Sequence, residues 1–568
     1  MAESAEKTIL GHPRGLVILF LTEMWERFSY YGMRGLLIIY LTQHFLMSDE
    51  SSSVLYGAYG ALVYVMTIIG GSLADRYLGA RKAVTFGAIL LTFGHFGMAF
   101  EGEGSRQLIS HGDNQYEIIL DGRGGDARQQ IVTDLGTSYV SFTETSMDIA
   151  EPGAVGLVPS IDRSEFTMSV ETEEKYLNIL YLSLALIIAG VGFLKANIST
   201  IVGSLYGFGD ARRDSGFTIF YMGINIGAFL ASLSCGYLGI VHGWKYGFGL
   251  AGAGMLLGLV IFLSCQSWLD GKAEPPSVEK LKEKVLFGIN VEWLCYSVGL
   301  GIIAVSMLLV MNADLVGGIL GPVGILMFIW LVSHAFTQLQ GDERSRMLAA
   351  IYFVLAQIPF WALFEQAGSS LNLFTARLVD REIMGWSVPG PVFQSLNAGF
   401  IFLFAPLMAW LWVWLARRKL NPSTPVKFAL GVAMAGLGFL ALVAGMQGSG
   451  AVGLTPVIFI FLIYWIHTMG ELMVSPVGLS AVTKLAPAKI VGMTMGAWFL
   501  YSGLSNYLAG VIARTTGAET IGGQMTNVAA AKAGYVDVYA QVGYIALGIA
   551  LLMLLISPVI NKMMRGAD

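Results

Sequence analysis

Charge is what this sequence has least of. Only 13% of its 568 residues are Asp, Glu, Lys or Arg, 55% are hydrophobic, and the mean hydropathy is +0.65. A soluble globule carries about 25% charge, so water is excluded as the solvent for most of the chain. Cysteine is nearly missing. Cys235, Cys265 and Cys295 stand singly in apolar runs without disulfide or metal-ligand spacing, and they read as packing residues. Catalytic signatures are missing too: neither HisGluXxxXxxHis nor GlyXxxSerXxxGly occurs, so nothing argues for a membrane protease or any other enzyme. The run Gly252-Ala253-Gly254 follows no strand pattern, which removes a nucleotide loop. The first residues, MAESAEKTIL, lack the basic-then-apolar order of a cleaved signal and are expected to stay in the mature chain.

What is present is a succession of long apolar runs. A helix crosses the hydrocarbon core with about twenty residues, and runs of that length recur along almost the whole chain. They are too long and continuous for barrel strands, so the expectation is an all-α polytopic membrane protein. Seventy glycines fit a bundle whose backbones approach closely. We place about fourteen transmembrane helices, among them 15–43, 346–375 and 453–484, with a charge-poor pair at 288–311 and 316–337 that reads as a spacer. Arg76, Arg81, Lys82, Arg212, Arg213, Lys280, Lys282, Arg417, Arg418 and Lys419 fall in alternate short connections, with Lys7 and Arg565 at the termini. The opposite connections hold only Lys245, Arg377, Arg381, Arg514 and Lys532, which predicts both termini in the cytoplasm. Residues 101–175 break the pattern. They are polar and acidic with short alternating stretches, and predict a β-rich extracytoplasmic insertion that is either a tolerated loop or an accessory module. The chain thus divides into 1–100 and 176–270 as the two parts of an N-terminal bundle, 101–175 as the insertion, 271–340 as linker and extra helix pair, and 341–568 as the C-terminal bundle.

Ionisable groups at bilayer depth are costly, and they mark water-filled paths or ligand sites. In the first span Glu23, Glu26, Arg27 and Arg34, at offsets 0, 3, 4 and 11, share about a third of the helix circumference. Tyr30 lies on that face and Tyr31 borders it. Lys195, Glu365 and Glu471 each stand alone in an apolar context. Four acids against three bases become neutral with one bound proton, and a low-dielectric cavity favours neutrality. A zwitterion could then bring its carboxylate to the basic side and its ammonium to a glutamate. Asn225, Gln394, Asn397 and Ser475 are candidates either for interhelical hydrogen bonds or for ligand contact, and His467 for a proton relay or for plain packing. Charges of both signs placed this way fit a secondary transporter of a charged or zwitterionic solute. An ion channel fits less well because the charges are of both signs and sit on separate helices.

The stretch Glu23-Met-Trp-Glu26-Arg27-Phe28-Ser29-Tyr30-Tyr31-Gly32 resembles the first-helix signature of proton-dependent oligopeptide transporters, the POT branch of the major facilitator superfamily. Gly71-Ser-Leu-Ala-Asp75-Arg76 through Arg81-Lys82 is similar to the superfamily's loop between helices two and three, and Phe220-Tyr221-Met-Gly-Ile-Asn225 to a fifth-helix signature. The resemblance implies a major facilitator fold of two six-helix bundles plus the extra central pair of bacterial members, in a bacterial inner membrane. It implies proton-coupled symport of di- and tripeptides by alternating access, with the proton as coupling ion and no cofactor, nucleic acid or obligatory protein partner. It further implies peptide contacts from Arg34, Lys195, Asn225, Asn397 and Glu471, side-chain pockets shaped by Tyr30, Tyr31, Tyr64 and Trp498, coupling through Glu23, Glu26, Arg27 and Lys195, and proton exchange at Glu365. Ala196, Ala228 and Ala398 depart from the family pattern, and Gly57 stands where mammalian members carry histidine. Cargo varies among fold relatives, so nitrate, a peptide-like drug, or peptide sensing without transport stay open.

Overall fold

In the computed structural model, residues 8–122, 128–207, 209–286 and 288–564 are described; Lys7 and Arg565 lie outside them. Among the described residues, eleven helical segments are long and apolar enough to cross a membrane. The long helices are α1 (Gly15–Gln43), α2 (Asp49–Leu73), α3 (Ala80–Met98), α4 (Glu174–Ser204), α5 (Arg213–Val241), α6 (Trp244–Ser264), α7 (Val291–Met311), α8 (Ala313–Thr337) and α9 (Gly341–Phe364). After the short α10 (Ser370–Leu378) come α11 (Ser395–Arg417), α12 (Thr424–Gly448), α13 (Ile458–Leu485), α14 (Val491–Arg514) and α15 (Val528–Met564). The charged α1 owes its place to packing, since its polar stripe faces protein rather than lipid.

Two apolar cores follow from this order, one drawn mainly from α1–α6 and the other from α9–α15. Glycine makes the close crossings possible. At Gly70 on α2 a Cβ would sit 2.2 Å from the Gly192 carbonyl oxygen of α4, a backbone atom that no rotamer change can move. Gly70→Val is therefore expected to cost about 1–3 kcal/mol, read as a lowered Tm of the detergent-solubilised protein. The halves meet through α2 against α14 and α5 against α11. A Cβ on Gly57 would lie 2.8 Å from the Gly510 Cα, so this contact leaves no room for a larger side chain at either position. The pair α7 and α8 packs beside the bundles, with α8 reaching both α2 and α14 and Tyr501 donating to the Gly324 carbonyl at 2.8 Å. On the side of the α2–α3 connection, Arg81 grips Glu274 with two hydrogen bonds of 2.7 and 2.8 Å, and Lys82 pairs with Glu292 at 2.5 Å.

Two local departures from the periodicity matter. The single span expected over 346–375 is broken: α9 ends at Phe364, a 3₁₀ turn covers Glu365–Gly368, and α10 restarts at Ser370. Helices break where side chains take over the ladder, and here Gln366 donates to the carbonyls of Ala362 and Ala509 while Ser370 donates to Gln366. The second departure is a seven-stranded antiparallel sheet between α3 and α4. Its strands are β1 (Arg106–His111), β2 (Asn114–Asp121), β3 (Arg128–Thr133), β4 (Gly136–Phe142), β5 (Ser146–Ile149), β6 (Ser160–Asp162) and β7 (Phe166–Glu171), in the order β6-β5-β4-β3-β2-β1-β7. Inward residues of the strands, Ile109, Ile118, Ile131, Val140, Met147 and Ile161, form a separate core.

Candidate functional site

A cavity of about 340 Å³ lies between the halves. From the N-terminal half it is lined by Glu23, Arg27, Tyr31 and Arg34 of α1, Tyr64 of α2, Lys195 of α4 and Asn225 of α5. Glu365, Gln394 and Asn397, Glu471 and Ser475 of α13, and Trp498 of α14 face them from the other half. Eight spans that are far apart in sequence thus deliver side chains to one space. Two of the expected residues stand behind the wall. Glu26 is 0% exposed against Arg27, and Tyr30 stacks on Tyr59 with the Arg27 guanidinium 5.4 Å from its ring. His467 is not part of the cavity lining, and its Nε2 donates to the Ala435 carbonyl at 3.0 Å.

The charges fall into three groups with different degrees of pairing. Arg27 is clamped between carboxylates, its Nε 3.0 Å from Glu23 and 2.5 Å from Glu26. Such pairing offsets much of the cost of burying the ions. Arg34 of the N-terminal half pairs across the cavity with Glu365 of the C-terminal half, and its guanidinium also lies 5.4 Å from the Tyr56 ring. Glu365 reaches this position because α9 stops immediately before it. The third group is incomplete. Lys195 has its Nζ 4.0 Å from the Tyr64 ring centroid and makes no ion pair among the described residues. Glu471 accepts from Asn397 at 2.8 Å and likewise has no cationic partner among them. Asn397 also contacts the Thr468 hydroxyl at 3.1 Å, and Asn225 donates to the Tyr221 carbonyl at 3.1 Å, leaving its amide oxygen free to accept.

Sequence reasoning missed Tyr221, Trp361, Phe364, Tyr464 and Asn506 as lining residues. Aromatics in an apolar span look the same whether they face core, lipid or cavity, and only Asn506, polar inside α14, carried a signal that could have been read.

The halves touch at one end of this cavity. Arg377, at the end of α10, pairs with Asp49, in the first turn of α2, at 2.6 and 3.0 Å. Asn372 donates to the Gly35 carbonyl at 2.8 Å. The Gly57–Gly510 crossing lies on the same side. Asp49 at a helix N-terminus is additionally favoured by the helix dipole.

Two helical halves with an ionic cavity between them, in a chain of many membrane-length helices, define a polytopic membrane protein with a central solute site. The chain belongs to the POT family, whose model matches residues 81–528, and which is a family of transporters and not of enzymes. It is 34% identical to Uncharacterized transporter YclF of Bacillus subtilis, over 99% of this chain and 97% of the relative. It is 32% identical to Peptide transporter YePEPT of Yersinia enterocolitica, over 89% and 88%. A crystal structure of peptide transporter POT in complex with sulfate superposes with a TM-score of 0.75 at 32% identity, covering 99% of this chain and 98% of that one. A POT family transporter in complex with 5-aminolevulinic acid gives 0.73 at 27%, covering 98% of each.

Proposed function

We propose that this protein moves di- and tripeptides into a bacterial cell together with protons, by alternating access, from the inner membrane and with both termini in the cytoplasm. The observation that carries the reading is one cavity that holds the cross-half Arg34–Glu365 pair together with Lys195 and Glu471, neither of which has an ion-pair partner among the described residues. A zwitterion completes both unpaired ends at once: its carboxylate meets Lys195, its ammonium meets Glu471, and Asn225 and Asn397 supply hydrogen bonds to the backbone between. The naming of relatives as peptide transporters or as dipeptide and tripeptide permeases supports this cargo.

Coupling then follows from competition for Arg34. While Glu365 is ionised it holds Arg34 and draws the halves together. A proton delivered to Glu365 removes that attraction, which frees the guanidinium for the peptide carboxylate. Loss of the proton on the other side restores the pair and displaces the carboxylate. With the termini cytoplasmic, the Asp49–Arg377 end is the outer one, so the present arrangement is closed outward. Glu23 and Glu26 share the single guanidinium of Arg27, and with Lys195 they form the network through which the proton's arrival is coupled to peptide binding.

The test is uptake of dialanine into liposomes holding the purified protein. An inward proton gradient should drive accumulation above the external concentration, and dissipating the gradient should reduce uptake to equilibration. Absence of dialanine uptake under both conditions, with correctly inserted protein, would pass the site to another solute such as nitrate.

A further inference from the structure

The sheet between α3 and α4 is fixed to one half and grips the other. Its entrance is tied to the N-terminal half: the Ser105 amide donates to the His44 carbonyl at 2.8 Å, His44 Nε2 is 3.0 Å from the Glu101 carbonyl, and Glu101 accepts from the Lys245 amide at 3.0 Å. Its underside holds a segment of the C-terminal half, the hairpin over 520–525 that joins α14 to α15. Ile521 of that hairpin is 2% exposed and completes the sheet's own apolar core beside Ile109, Ile118 and Ile131. Gln129 donates to the Ile521 carbonyl, and Gln107 accepts from the Gly522 amide at 3.2 Å.

The turn itself is shaped for this seat. Gly522 and Gly523 have φ of +52° and +79°, the left-handed pair that closes a two-residue hairpin. A Cβ on Gly522 would lie 3.0 Å from the Gln129 amide nitrogen, and one on Gly523 would lie 3.4 Å from the Thr42 carbonyl of α1. The tip is thus wedged between the sheet above and the end of α1 below. Just upstream, the Ala518 amide donates to Asp49 at 3.1 Å, the same carboxylate that holds Arg377. Arg163 and Glu519 add a looser ion pair at 3.7 Å.

We propose that the inserted sheet is an intramolecular latch, which rides on the N-terminal half and holds the 520–525 hairpin of the C-terminal half so as to oppose opening of the Asp49–Arg377 end. Separating the halves at that end requires Ile521 to leave an apolar core and two buried glutamine side chains to lose their backbone partners. The sheet therefore adds to the closed state a free energy that the bundles alone do not supply, and sets the equilibrium between the two access states. This inference rests on the alternating-access reading above.

The experiment measures distances between spin labels at Ser51→Cys on α2 and Met384→Cys on the opposite half, in full-length protein lacking Cys235, Cys265 and Cys295. In the parent the short distance should dominate. Gln107→Ala with Gln129→Ala should raise the ratio of wide to short populations roughly tenfold, as the loss of two buried hydrogen bonds implies. A second variant, with 103–172 replaced by a short Gly/Ser linker, should widen the distribution further while retaining dialanine uptake, and it reads the same quantity if the double substitution unfolds the sheet. Widening in either variant supports the latch. Unchanged distributions in both overturn it and leave the sheet a passenger. The distances need no cargo, so absence of dialanine uptake by the parent would sink the transport reading without touching this result.

Discussion

Glu365→Gln is expected to abolish gradient-driven accumulation of dialanine while leaving peptide-for-peptide exchange close to that of the parent. Glutamine has the shape of the protonated acid and cannot ionise, so it can no longer hold Arg34 by charge across the cavity. A carrier frozen in that form still binds a peptide, because Lys195, Glu471 and a released Arg34 are all present, and it still exchanges one peptide for another. What it lacks is the step in which the empty carrier gives up its proton and draws the halves together. Accumulation and counterflow are measured on the same liposome preparation, so correct insertion is checked by the exchange signal itself. Accumulation at the parental level would remove Glu365 from proton exchange. Loss of both activities, in protein whose insertion is verified independently by protease accessibility, would give it a part in peptide binding as well.

The second large effect concerns which end of the peptide faces which half. The two unpaired charges stand in different halves, Lys195 on α4 and Glu471 on α13. A bound dipeptide is expected to place its carboxylate toward Lys195 and Arg34 and its ammonium toward Glu471. Each charge-assisted hydrogen bond is worth about 1.5–3 kcal/mol, so removing one end weakens competition roughly tenfold to a hundredfold. Dialanine is compared with its N-acetyl and C-amide derivatives as competitors of labelled dialanine. In the parent both caps should weaken competition. In Glu471→Gln the N-acetyl penalty should shrink selectively, and in Arg34→Ala or Lys195→Ala the C-amide penalty should shrink instead. Opposite assignments would reverse the orientation. Indifference of the parent to both caps would mean that the cargo is not recognised by its termini.

The fold and the charged members of the site were readable because the bilayer makes both conspicuous. A span of apolar residues has one stable backbone solution there, and a lone Lys195 or Glu471 inside it has to face protein or water. Offsets along α1 place its four charges on one stripe, but they do not separate Arg34, which crosses to Glu365, from Glu26, which stays behind Arg27. That distinction depends on the partner helices and is invisible in a single span. The break at Glu365 was missed for a related reason: Phe364 to Gly368 contains no proline, and the turn is held by Gln366 and Ser370, whose partners include a carbonyl of α14. The sheet was legible as alternating stretches, as at Tyr116–Leu120 in β2, whereas its grip on a hairpin 392 and 415 residues beyond Gln129 and Gln107 left no local trace.

Ser105 and Thr172, at the two ends of the insertion, have their hydroxyl oxygens 2.6 Å apart. The chain therefore leaves and re-enters the helical body at almost one point, so the junction works as a socket into which another compact module with adjacent ends can be plugged without bending α3 or α4. A reporter domain whose emission responds to its surroundings, seated there in place of the sheet, would stand beside the Asp49–Arg377 seam and signal its opening and closing.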